Sequence, residues 1–88
     1  ADRIGLVNRV VPHEEVMEEA RALAGEIARG PAVAVGLSKT AIYRGLGSDL
    51  ESALDYEAFA QAVCSQTEDA IEGVQSFLEG RDPIFKGR

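Results

Sequence analysis

Hydrophobic positions change period twice along this chain. Ile4 to Val11, IGLVNRVV, is a short β-branched run that ends at Pro12, and its length and Val/Ile content predict a strand. From Pro12 the period becomes helical. Val16, Ala20, Leu23 and Ile27 step by four, three and four, so they share one face of a helix over Pro12–Gly30, widened by Met17, Ala24 and Ala28. Glu14 and Glu15 in its first turn and Arg29 in its last suit the helix dipole. Gly30-Pro31 ends this helix and opens a second over Pro31–Leu46, whose Ala34, Leu37, Ala41 and Ile42 are expected to face inward. Val33, Val35, Gly36 and Thr40 weaken its propensity. Gly45, Gly47 and Ser48 make a turn, and Ser48 with Glu51 three residues on predicts a capping box for a third helix over Asp49–Ser65. Leu50, Ala53, Leu54, Tyr56, Phe59, Ala60 and Val63 give that helix an apolar surface broader than one neighbouring helix needs.

The last stretch, Thr67 to Phe85, is the best punctuated. Thr67 is placed to cap a helix, and Glu68 and Asp69 follow in its first turn. Ile71, Val74, Phe77 and Leu78 form an apolar stripe, Gly80 offers a left-handed stop and Pro83 forbids continuation. The fold class expected is therefore mainly α, with one short N-terminal strand followed by about four helices. A lone strand has no partner for its backbone groups, so the strand implies a sheet supplied from elsewhere. The expectation is of a segment of something larger.

Composition narrows the function classes. A chain of 88 residues allows one domain at most, and its own core is marginal. The net charge of −6 argues against a nucleic-acid partner, which needs clustered Lys and Arg. No apolar run approaches the ~20 residues that span a bilayer. The single cysteine, Cys64, allows no internal disulfide and fits a reducing compartment, and a cytoplasmic location is expected.

Candidate chemistry is sparse. His13 is the only histidine, at a helix start, without a Ser or Cys nucleophile nearby, and reads as a solvent-exposed cap. Cys64 reads as a small hydrophobe, and no metal cluster is expected. Asp69 and Glu72, three apart on one helix face, read as dipole and salt-bridge partners rather than a catalytic pair. Gly45–Ser48, GLGS, is a turn and not a phosphate loop. Phe77, Arg81, Phe85, Lys86 and Arg88 set two aromatics among three cations, a combination that suits a flat base with phosphate, or equally a core edge beside solubilising charge.

Several stretches together resemble the C-terminal portion of the crotonase superfamily, the enoyl-CoA hydratases and isomerases. They are GLVNRVVP at Gly5–Pro12, IARGP at Ile27–Pro31, AV…SK at Ala34–Lys39, the Leu50…Leu54…Glu57 helix, and T-x-D-x-x-E-G-x-x-x-F-L-x-x-R-x-P-x-F at Thr67–Phe85. The resemblance covers nearly the whole chain. It implies that residues 1–11 are the end of a strand leaving an αβ spiral domain, and that residues 12–88 are a helical lid and oligomerisation domain. It implies an acyl-CoA substrate, with coenzyme A as part of that substrate and no separate cofactor. It further implies a homo-oligomer, a trimer or dimer of trimers; the acidic charge and the lack of a long apolar run already argue against a nucleic acid or membrane partner. Catalytic carboxylates and oxyanion donors would lie on the spiral domain, so no catalytic residue is expected here. Phe77 matches the family's aromatic at the adenine and phosphate end of coenzyme A. The family's Lys position is Gly80 here, leaving Arg81 or Lys86 to replace it. The alternative reading is a small acidic helical carrier or interaction module. Against a carrier, the order is Ser48-Asp49-Leu50, whereas carriers present Asp-Ser-Leu for phosphopantetheine.

Overall fold

A computed structural model describes all residues, Ala1 to Arg88. It contains α1 (Val16–Ala28), α2 (Ala32–Gly45), α3 (Leu50–Cys64) and α4 (Glu68–Glu79), with short 3-10 turns at Asp2–Ile4 and His13–Glu15. The four expected helices are present, with ends shifted by one to four residues.

The strand expected over Ile4–Val11 does not form. Ile4 closes a 3-10 turn, Gly5 takes a left-handed φ of 74°, and the Leu6 N–H donates to the Ala1 carbonyl at 3.0 Å. β-branched content describes side chains that fit a pleated surface, but a strand exists only where another edge pairs its backbone. These 88 residues offer no such edge, and residues 7–11 instead lie irregularly against α1, tied by Arg9 to Glu19 at 3.1 Å.

Capping differs at one helix. Asp49, not Ser48, caps α3, its carboxylate accepting from the Ser52 N–H at 2.7 Å. That bond holds the Asp49 carboxyl below its ordinary pKa. Either Ser48 or Asp49 has a cap-competent side chain, and an anionic acceptor makes the stronger bond to the helix N-terminus. Thr67 caps α4 as expected, accepting from the Ala70 N–H at 3.1 Å, and Gly80 ends it at φ 67°. His13 is exposed and makes no side-chain cap.

Helices α2 and α3 pack together, with the Arg44 guanidinium 5.0 Å above the Tyr56 ring. The half-buried positions of α3 are Ala53, Tyr56, Ala60, Val63 and Cys64, a single stripe toward α2. Leu50, Leu54 and Phe59 stay exposed on the same helix. The broad apolar surface of α3 is thus satisfied on one side only.

No hydrophobic side chain in the chain is buried; the only buried residues are Asp69 and Ser76. The body measures 42 × 38 × 19 Å, with a radius of gyration of 16.3 Å. A compact chain of this length has a radius near ~12 Å. The accessible surface is 7285 Å², whereas a folded monomer of this mass exposes roughly 5,000 Å². The excess is about 2,300 Å², and large apolar side chains stand exposed on all four helices and on residues 4–10.

Candidate functional site

The chemistry-bearing residues gather on α4 and the nine residues that follow it, Gly80–Arg88. Gly80 turns the chain by a left-handed step that a residue with a Cβ adopts at a cost, and Pro83 keeps it extended. Residues 84–88 then run back along α4 toward its N-terminus. The Ile84 N–H donates to Glu72 Oε1 at 2.9 Å. The Lys86 and Gly87 N–H groups donate to Asp69 Oδ1 and Oδ2 at 2.7 and 2.8 Å. The Asp69 N–H in turn donates to the Arg88 carbonyl at 2.9 Å. Phe85 is half-buried over Gly73, where a Cβ would sit 3.8 Å from its ring.

This return explains an inversion in α4. Asp69, Glu72, Gly73 and Ser76, at helical spacing, face the returning chain, and Asp69 and Ser76 are each only 3% exposed. The apolar stripe of Ile71, Val74, Phe77 and Leu78 faces outward, with Phe77 84% and Leu78 77% exposed. Amphipathicity predicts that a helix buries its apolar side; here the polar side is buried and the apolar side is open.

Arg81 is held by carboxylates. Its Nη1 and Nη2 donate to the two Glu72 oxygens at 2.6 and 3.0 Å, a fork that matches the carboxylate plane, and its Nε donates to Glu79 at 2.6 Å. The Arg81 hydrogen bond, followed by that from Ile84, lowers the Glu72 pKa from an ordinary 4.5 to about 2. The same bonds, Glu72 first and Glu79 second, raise the guanidinium's pKa. Arg88 pairs with Glu68 at 3.0 Å on the surface. Lys86 makes no ion pair and its side chain is exposed. Of the three expected site residues, Arg81 and Lys86 lie on the Glu72 side of α4, while Phe77 stands on the outward stripe.

The salt-bridge reading of Glu72 holds. Asp69 does something else, gripping two backbone N–H groups from 17 and 18 residues away in sequence. Charge and period gave no sign of that grip. The signal lay in the spacing of Asp69, Glu72 and Gly73 ahead of Arg81-x-Pro83-x-Phe85, which supplies an acceptor, a second acceptor and a gap for the ring. Cys64 is half-buried in an open groove of about 690 Å³ between α2 and α3, among Leu37, Ala41 and Leu54. No three His, Cys, Asp or Glu side chains are placed to share a metal ion.

The family model for enoyl-CoA hydratase/isomerase matches residues 1–88. The chain belongs to the enoyl-CoA hydratase/isomerase family. It is 44% identical over 85 residues to a crotonyl-CoA hydratase of Syntrophomonas wolfei, covering 97% of this chain and 33% of that protein. It is 44% identical over 79 residues to a short-chain-enoyl-CoA hydratase of Clostridium acetobutylicum, covering 90% and 30%. The crystal structure of an enoyl-CoA hydratase from Geobacillus kaustophilus superposes with a TM-score of 0.91 at 42% identity, over 100% of this chain and 33% of that one. An enoyl-CoA hydratase from Bacillus anthracis gives 0.89 at 40%, over 100% and 34%. The chain thus spans about a third of the length of the curated relatives it matches. No helix is long and apolar enough to cross a membrane.

Proposed function

We infer that these residues are the helical part of an enoyl-CoA hydratase/isomerase-type enzyme acting on acyl-CoA thioesters. Their contribution is closure of the acyl-CoA site, contact with coenzyme A and subunit assembly. The catalytic carboxylates and oxyanion donors belong to a preceding spiral domain, which residues 1–11 leave and over which residues 12–88 fold. There, oriented N–H donors stabilise the charge that develops on the thioester oxygen. The observation that carries the reading is the match to enoyl-CoA hydratases along all 88 residues, at a third of their length. The unburied apolar stripes of α3 and α4 support it, since they require a covering body. The assembled enzyme is a homo-oligomer, a trimer or dimer of trimers, in the cytoplasm, and coenzyme A enters only as part of the substrate.

Toward coenzyme A, Phe77 offers an exposed aromatic face for the adenine. Gly80 provides no cation, and Arg81 is committed to Glu72 and Glu79. Lys86 is the cation free to meet phosphate, while Arg81 shapes the turn. The intact protein should hydrate crotonyl-CoA, and these 88 residues alone should not. Lys86→Ala should raise KM for crotonyl-CoA with kcat nearly unchanged, because a phosphate contact far from the thioester binds ground and transition states alike. Turnover by the 88-residue chain, or an intact protein inert toward every enoyl-CoA offered, overturns the reading.

A further inference from the structure

Residues 82–88 adhere to the rest of the chain in an unusual way. Their links to α4 run through the carboxylates of its first half: Glu72 to the Ile84 N–H, Asp69 to the Lys86 and Gly87 N–H groups, and Glu68 to the Arg88 side chain. Apolar adhesion is slight. Ile84 is exposed, Phe85 only half-buried, and Gly87 touches the start of α2 at one point, where a Cβ would lie 3.4 Å from that of Ala32. The Arg88–Glu68 pair is exposed on both sides and contributes little. Helix α4, by contrast, carries its own cap at each end, Thr67 and Gly80, so its helical bonds do not depend on the returning chain.

We propose that residues 82–88 are a strap that opens and closes as one unit on an intact α4, with the Asp69 carboxylate as its catch. One buried anion holds two successive N–H groups, and its own N–H is closed by the Arg88 carbonyl, so the three bonds form and break together. Glu72 is the second, weaker hold, because Arg81 occupies both of its oxygens and the Ile84 N–H shares one of them. Opening bares Gly73 and the first-turn N–H of Asp69, and carries Phe85 and Lys86 away from α4. The strap is therefore a lid over the polar side of the last helix, separate from the outward apolar stripe on which Phe77 stands.

The test is hydrogen exchange on the intact polypeptide that contains these residues, followed amide by amide. In the unaltered protein the Lys86 and Gly87 amides should be protected, but markedly less than amides of the α4 interior such as Phe77. Asp69→Asn keeps one acceptor oxygen and turns an N–H₂ group toward a backbone donor. It should lower protection at residues 84, 86 and 87 by roughly 10- to 100-fold, the loss of one bond to a charged acceptor, with α4 unchanged. Glu68→Gln should change the same amides by less than about fivefold, as an exposed pair allows. The idea is overturned if the strap and α4 exchange at one common rate, if Asp69→Asn leaves residues 86 and 87 protected, or if it lowers α4 equally. If Asp69→Asn does not fold, the rates in the unaltered protein decide alone. The readout does not involve turnover, so it stands or falls apart from the enzymatic reading.

Discussion

Cutting the segment free of any covering body is the most informative perturbation. The surface of 7285 Å² exceeds that of a compact monomer by about 2,300 Å². If slightly over half of that surface is apolar, then at ~25 cal/mol per Å² the forgone burial is on the order of 30 kcal/mol. Net stabilities of single domains are only about 5–15 kcal/mol. A deficit of this size cannot be offset by caps and surface ion pairs, each about 1 kcal/mol. The 88-residue chain should therefore show partial helicity by far-UV circular dichroism, a broad thermal transition without a baseline, poor amide dispersion by NMR, and self-association on dilution series. A cooperative melt of a monomer with sharp, dispersed resonances would refute the argument, because it would mean that the exposed stripes are covered within the chain.

Other expectations concern local features and are to be measured in the intact protein. Thr67→Ala should cost about 1 kcal/mol by denaturant titration while Ser48→Ala changes almost nothing, since Thr67 and Asp49 are the working caps. Gly80→Ala meets no neighbour within 4 Å, so its cost, about 1–2 kcal/mol, should come from the left-handed backbone alone. A full-strength loss at Ser48, or none at Gly80, would contradict these assignments. The Glu72 carboxyl is depressed on folding, so the stability it contributes is full above its ordinary pKa of 4.5 and is lost as pH falls toward about 2. Glu72→Gln should flatten the acid limb of the stability–pH curve in that window, and an unaltered limb would show that the pair with Arg81 does not persist in solution.

How much was legible in the residues varies by element, for physical reasons. Helix α4 was readable to the residue at its start and stop, because Thr67 and Gly80 act through bonds within their own turns. Helices α1, α2 and α3 were readable from periods of three and four, although α1 begins four residues late, after a 3-10 turn at His13–Glu15, and α3 is capped by Asp49 where Ser48 stood beside it. The site was read less well. Arg81 was identifiable as a cation near an aromatic, but its commitment to Glu72 and Glu79 depends on the turn after Gly80 that swings it back.

Local chemistry thus settled where the helices begin and end, that the chain carries more apolar face than it can cover, and which family its motifs follow. Tertiary structure alone decided three things. Ile4–Val11 stays unpaired, because a strand is a relation between two edges and only one is present. The polar side of α4 is the buried one, because the returning residues 84–88 bring N–H groups that need acceptors. Asp69 is a backbone clamp and not a surface charge, because its partners lie 17 and 18 residues on, beyond the reach of any helical period.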